Sequence, residues 1–388
     1  MGFIIRLTIM AWLALQSPLA WPEPYTPNED AEVLERLPVD TGERKRLREL
    51  RSQVNEKPGK FSLALNLARD YIALGRFNSD PRYYGYAEAV LTPWLKATNE
   101  QPDALVLHAT ILQNRHDFLS ALADLKSALS RNPRLPQAWL TLAAINEVQG
   151  DYPAALRSCL ALARMVDSLS ATVCLHSALS LSGQAQSSYS QLVGVLPNSN
   201  ADPEEMTWAF TLLGELAERL NLVKEAEGWY QKAIHQGHRS VYLLATYADF
   251  LLDHDRTDEV IGLLQGETRA DPLLLRLALA EQRSKHKDFN QHVGLIEDKM
   301  AASKARGDTA HQGDEARFTL HVLKDAEVAL RLALNNWDVQ KEPRDARILL
   351  ETALAARQPG AALPVVKFIE QTRLQDARLE PLLKLVKG

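Results

Sequence analysis

The sequence predicts an all-α solenoid, a stack of antiparallel helix pairs, on three observations. Over 102–167 the chain repeats itself at a shift of 34 residues: Pro102 falls on Pro136, Leu105 on Trp139, Ala109 on Ala143, His116 on Gly150, Ala121-Leu122 on Ala155-Leu156 and Leu125 on Cys159. Each unit carries two helix-length apolar patterns, and two helices alone bury too little surface, so such pairs must stack on one another. The 18 Gly and 19 Pro fall between those patterns rather than pooling into one tract. Small residues recur where the helices of a pair approach, as at Ala109 with Ala121 and Ala143 with Ala155. Trp139, Leu142 and Tyr230 are sized for the grooves between pairs.

Arg6, the apolar run 7–15 and Ser17-Pro18-Leu19-Ala20 read as a secretory signal peptide over 1–20, cleaved after Ala20. That places the mature chain in the periplasm or outside the cell. No later segment approaches the ~20 apolar residues of a membrane-spanning helix. An N-terminal arm and capping helix occupy 21–58, with Pro22, Pro24, Pro27 and Pro38 before a helix over 41–55 that Lys57-Pro58-Gly59 stops. The first half of the array spans 59–196. Its opening helix, 61–74, ends at Gly75, and 76–83 reads as an unusually long turn bearing Phe77 and Tyr83. Two clean repeats follow, then a degenerate pair over 171–196.

The run Pro197-Asn198-Ser199-Asn200-Ala201-Asp202-Pro203 is the expected bend. The second half, 204–373, resumes at Leu213-Gly214, Ala226, Tyr230 and Ala233, with Val260 one period beyond Ala226. A looser repeat covers 273–306, and Ala329-Leu330 and Ala362-Leu363 mark the last two. A capping helix with a polar side is expected over 374–388.

Trp139-x-x-Leu142-Ala143, Gly150, Ala155 and Leu162 in one unit resemble the tetratricopeptide repeat, as do Leu213-Gly214, Ala226, Tyr230 and Ala233 in another. The resemblance extends over about nine units from 61 to 373, and the whole is similar to exported repeat proteins of Gram-negative bacteria. It implies a right-handed superhelix whose first helices line a concave groove for a protein or peptide, and it implies no chemistry. Domains of this family that grip acidic C-termini use Lys, Asn and Arg at concave positions. The matching positions here are mostly apolar, small or acidic, with Arg219 a basic exception. In the fifth unit they include Trp208, Glu215, Glu218 and Arg219, and in the sixth Tyr242, Asp249 and Asp253. Aromatic anchors rimmed by charge make these seven the expected partner-binding residues, suited to a basic or apolar-basic segment.

Other functions find little support. Net charge is −5 with 24% charged residues, so there is no basic footprint for nucleic acid. GxSxG, HExxH, GxxxxGK[ST], GxGxxG and CxxC are absent, so no catalytic residue or cofactor is expected. His235, His238 and His254, the last between Asp253 and Asp255, read as loop histidines, because no Cys or Glu completes a ligand set at metal spacing. The alternative they leave is a periplasmic protein handling a ligand or metal at the turns 235–255. Cys159 and Cys174 fall on facing helices. They are read as buried free thiols or as a disulfide closing a short loop, since helix positions do not set the ~5.5 Å Cα separation a bridge needs.

Overall fold

The computed structural model describes residues 41–96, 101–305 and 311–388. The leader at 1–20 and the Pro-rich part of the arm, up to residue 40, therefore lie outside the described residues. The chain forms two compact units, 1–48 and 49–388. Residues 41–48 of the first are helical, as the start of α1 (Thr41–Glu56), which runs across the division.

The second unit is all-α, with no strand among the described residues. Its antiparallel pairs are α2 (Phe61–Asn78) with α3 (Arg82–Leu95), α4 (Pro102–Asn114) with α5 (Phe118–Arg131), and α6 (Pro136–Val148) with α7 (Tyr152–Ala163). Next come α8 (Leu169–Ser180) with α9 (Ala185–Val195), α10 (Pro203–Arg219) with α11 (Val223–His235), and α12 (Val241–Asp253) with α13 (Thr257–Leu264). The last three are α14 (Asp271–Ser284) with α15 (Phe289–Ala305), α16 (Gln312–Phe318) with α17 (Ala326–Val339), and α18 (Pro343–Ala355) with α19 (Leu363–Thr372), before α20 (Glu380–Lys387). They stack as a right-handed α-solenoid.

Local chemistry accounts for the helix ends. Pro102, Pro136, Pro203 and Pro343 stand in first turns, where a missing N–H costs nothing. Asp117, Asp151, Ser168, Asp202, Ser240 and Asp325 cap the helices that follow them by accepting backbone N–H bonds. The turn inside each pair has one recurring form. His116, Gly150, Gly183, Asn221, Asp255, Lys285 and Arg357 take left-handed backbone, with φ between 56° and 82°. The next N–H then reaches the carbonyl five residues back: Asp117 to Leu112 at 3.0 Å, Asp151 to Asn146 at 2.8 Å, Leu222 to Ala217 at 2.8 Å and His286 to Glu281 at 2.9 Å. In the eighth pair a π-helical turn, Thr319–Leu323, adds a residue and Lys324 takes the left-handed place.

The small positions carry the tight packing. Ala109, Ala121, Ala143 and Ala155 are at most 1% exposed. At Gly214 a Cβ would stand 2.5 Å from the Tyr230 ring, so only glycine permits α10 and α11 to approach as they do.

Three expectations need correction. Residues 76–83 are not one long turn: α2 runs on to Asn78, Tyr84 packs on Gly75, and its hydroxyl donates to Asn114 at 2.8 Å. The stretch 197–203 does not divide the array, because Leu196–Asn198 forms a 3₁₀ turn and Asp202 caps α10. Ser170 also donates from its N and Oγ to Glu205 at 3.3 and 2.5 Å, tying α8 to α10 across the bend. The capping helix expected over 374–388 begins only at Glu380, as α20, and in the segment before it Leu374, Asp376 and Leu379 are buried.

That burial follows from how the array closes. Tyr152 and Leu181, at the turns of the third and fourth pairs, share a core cluster with Leu330, Trp337, Leu349 and Val365. Lys341 N–H donates to the Val148 carbonyl at 2.7 Å, and Ala377 N–H to the Arg219 carbonyl at 3.0 Å. The Phe368 ring lies against Gly150, whose missing Cβ leaves the space. The last pairs thus come back onto the second to fifth.

Candidate functional site

The first helices of the pairs line a concave lumen of about 750 Å³, closed on its other side by C-terminal residues including Gln340, Glu342, Arg344 and Arg378. Among the expected partner-binding residues, Trp208, Glu215, Arg219, Tyr242 and Asp249 line this lumen. Glu218 and Asp253 lie together in an adjoining cleft with Arg347 and Arg378. The structure therefore brings all seven to one region.

It does not leave their charges free. Asp249 accepts from Arg276 Nη2 at 2.7 Å and Arg317 Nη1 at 2.6 Å. Asp253 accepts from Arg347 Nη2 at 2.8 Å. Glu218 lies 3.4 Å from Arg378 Nη1 and accepts the Tyr230 hydroxyl at 2.5 Å. Glu215 accepts the Tyr242 hydroxyl at 2.6 Å. An open acidic face was expected; the acidic face is filled, and three of its arginines (Arg317, Arg347 and Arg378) come from the C-terminal third. No sequence signal announced this, because the partners lie 68 to 160 residues further along the chain. Arg276, only 2% exposed, is satisfied by the Ala245 and Pro272 carbonyls as well as Asp249. Arg219 is also buried; its Nη2 donates to Ser180 at 2.9 Å, while its Nη1 finds no partner.

These surroundings move the carboxyls in two directions. Burial pushes Glu147 up to about 8, with the Ser177 hydroxyl opposing and Glu342 adding to the rise. Burial likewise raises Glu218 to about 7, against the pull of Arg378 and Tyr230. Burial acts on Asp249 and Glu351 too, but is outweighed: Arg276 and Arg317 hold Asp249 well below the carboxylate range, and His321 with Arg347 bring Glu351 to about 2. Glu147 and Glu218 keep their protons in the fold above the ordinary value of 4.5. Their contribution is complete below that value and is lost as pH rises through about 7 and about 8. Asp249 and Glu351 contribute above their ordinary values and lose the contribution as pH falls. The melting temperature should therefore peak near pH ~5 and decline toward pH ~8. Glu147→Gln should flatten the decline; an equal slope in wild type and variant would refute the assignment.

Cys159 on α7 and Cys174 on α8 are bonded, with a Cα separation of 5.5 Å. The reading as free thiols is thus overturned, for the two helices cross at the depth a bridge requires. The histidines at 235–255 do not gather. His235 Nδ1 lies 2.6 Å from the Gln231 carbonyl and His254 Nδ1 2.8 Å from that of Phe250, each on its own helix.

The tetratricopeptide repeat family matches residues 106–168. No curated protein matches the sequence significantly. The fold is similar to that of Cut9 in the APC/C Cut9–Hcn1 hetero-tetramer, at 12% identity and a TM-score of 0.43, over 89% of this chain and 53% of that one. This chain thus spans about half the length of Cut9. It is similar to human IFIT1, from its dimer with m7Gppp-AAAA, at 15% identity and a TM-score of 0.47, over 89% and 87% of the two chains. For yeast Tom70 the values are 11% and 0.42, over 89% and 84%. The family match falls on the helices α4 to α7 of this all-α array.

Proposed function

We propose that the protein is a non-catalytic adaptor of the cell envelope that binds a protein partner through the concave face of the solenoid. The partner presents an arginine-bearing segment to Glu218, Asp249 and Asp253. Folds of this type commonly mediate protein–protein interaction and are generally without catalytic activity. One observation carries the finer reading: each of those carboxylates already grips a guanidinium from the chain's own C-terminal third. The C-terminal third acts as an internal ligand, and the partner competes for its places. The leader read at 1–20 supports an envelope location, and a disulfide suits an oxidising compartment. The ligand-handling alternative moves from the turns at 235–255 to the lumen, whose wall includes the unpartnered Arg219 Nη1.

Capture from envelope extract should shift in opposite directions in two variants. Arg347→Ala loosens the internal ligand and should raise recovery of the partner, whereas Asp253→Asn removes the receiving charge and should lower it about tenfold, as loss of a close charge pair does. An identical partner set at identical yield from both would sink the proposal.

A further inference from the structure

We propose a divalent transition-metal site, Zn²⁺ by preference, at the turn between α14 and α15, built from Glu281, His286 and Asp288 and positioned by His292. The proposal is independent of the partner-binding reading, since none of these residues lines the lumen.

The turn has the common form of the array, with Lys285 left-handed and His286 N–H bonded to the Glu281 carbonyl at 2.9 Å. The residue whose carbonyl plays that part is Leu112, Asn146, Leu179, Ala217, Leu251 or Ala353 in other pairs. Only here is it charged, and Glu281 is 1% exposed. A carboxylate taken out of water needs a counter-charge. Among the described residues its side-chain partners are two imidazoles and no Lys or Arg: His292 Nδ1 at 2.8 Å from Oε2 and 3.0 Å from Oε1, and His286 Nδ1 at 3.7 Å from Oε1. An imidazole can donate through one ring nitrogen, as His292 does to this carboxylate, and offer a lone pair to a metal ion through another, as His286 can. A cation bound at Oε1 would give the buried carboxylate a full counter-charge.

The donors are spaced to accept one. His286 Nδ1 lies 3.7 Å from Glu281 Oε1 and 3.7 Å from Asp288 Oδ2, and the three ligand atoms fall within 4.8 Å of one another. Tetrahedral Zn²⁺ with bonds of about 2.0–2.1 Å holds its ligand atoms roughly 3.3–3.4 Å apart, so the two pairs at 3.7 Å need to close only by tenths of an ångström and the third, within 4.8 Å, by at most about 1.5 Å. His286 Nδ1 accepts a long bond from the Asp288 N–H at 3.4 Å, so its lone pair is turned toward the group, and the cation would replace that contact. His292 Nδ1 lies 2.8 Å from Glu281 Oε2 and 3.0 Å from Oε1, and so holds the ligating carboxylate in place from the outer shell. His286 and Asp288 are 34% and 41% exposed in their side chains, which leaves a path for the ion and room for water to complete its shell. Arg283, the nearest arginine in sequence, is engaged by the Leu252 carbonyl and Asp255.

Titration of the full, tag-free chain with ZnCl₂ by calorimetry tests this. One equivalent should bind, and His286→Ala and Asp288→Asn should each weaken binding by tenfold or more. Substitution at the positioning residue, His292→Ala, should weaken it about tenfold, within the range for outer-shell partners. His235→Ala should change nothing. Co²⁺ in place of Zn²⁺ should give a visible absorption band that His286→Ala abolishes. Absence of stoichiometric uptake, or Asp288→Asn binding as wild type does, would overturn the site and leave Glu281 and His292 as a buried hydrogen-bonded pair. His286 and Asp288 are half-exposed, so their variants are expected to keep the wild-type circular dichroism and melt.

Discussion

Arg378→Glu is expected to release the C-terminal third from the groove and to cost about 3–5 kcal/mol, the usual range for breaking a buried ion pair by removal of one partner. The side chain donates from Nε and Nη2 to Asp376 at 2.9 and 2.7 Å, and its Nη1 faces Glu218 at 3.4 Å. Both carboxyl groups are buried, so the variant removes the guanidinium they share and sets a third carboxyl group beside them. Amide exchange should rise over 341–388, while the clean repeats over 102–163 keep their protection. An Arg378→Met variant retains the aliphatic packing and removes only the charge, and should fall between the two. Wild-type exchange over 341–388 in Arg378→Glu would show that the apolar contacts of Tyr152, Trp337 and Phe368 hold the closure alone.

Cleaving the bridge between Cys159 and Cys174 should be the second large effect. The bond closes a loop with a sequence separation of 15, worth about 3 kcal/mol in the chain-entropy account. The Cys159→Ala/Cys174→Ala variant, or reductant added to the wild type, should lower the melting temperature by on the order of 5 °C. The two sulfurs sit among Ala143, Ala155, Leu162, Ala171 and Ala178, so alanines there remove the bond while leaving an apolar site. A wild-type melt that ignores reductant, with two thiols titrating in the unfolded and unreduced chain, would mean the cysteines are not joined. The bridge also joins the third pair to the fourth at the point where the sequence repeat becomes degenerate.

The helix pairs were legible wherever one residue type answers one physical demand. Ala109, Ala121, Ala143 and Ala155 are small because two backbones meet there, and Gly214 is glycine because Tyr230 lies against it. The turn was legible only in part. Its left-handed residue is glycine at 150 and 183 but Ser, His, Asn, Asp, Lys or Arg elsewhere, since polar side chains tolerate that backbone at modest cost and leave no distinctive letter. The metal-site candidate escaped notice for a related reason. Glu281 looks like any surface glutamate in a polar stretch until its burial is seen, whereas the histidines at 235–255 stand out in the sequence without meeting in the fold.

The groove shows the same division. By itself the sequence determined the solenoid and the order of its pairs, because these follow from a period of 34, while the resemblance to the tetratricopeptide repeat singled out the concave residues from Trp208 to Asp253. Only the tertiary structure decided that Glu218, Asp249 and Asp253 are occupied, that 197–203 leaves the array whole, and that Cys159 meets Cys174. Each depends on where small rotations between successive pairs have carried the chain after several repeats. Those rotations add up along the array, and no local pattern of residues records their sum.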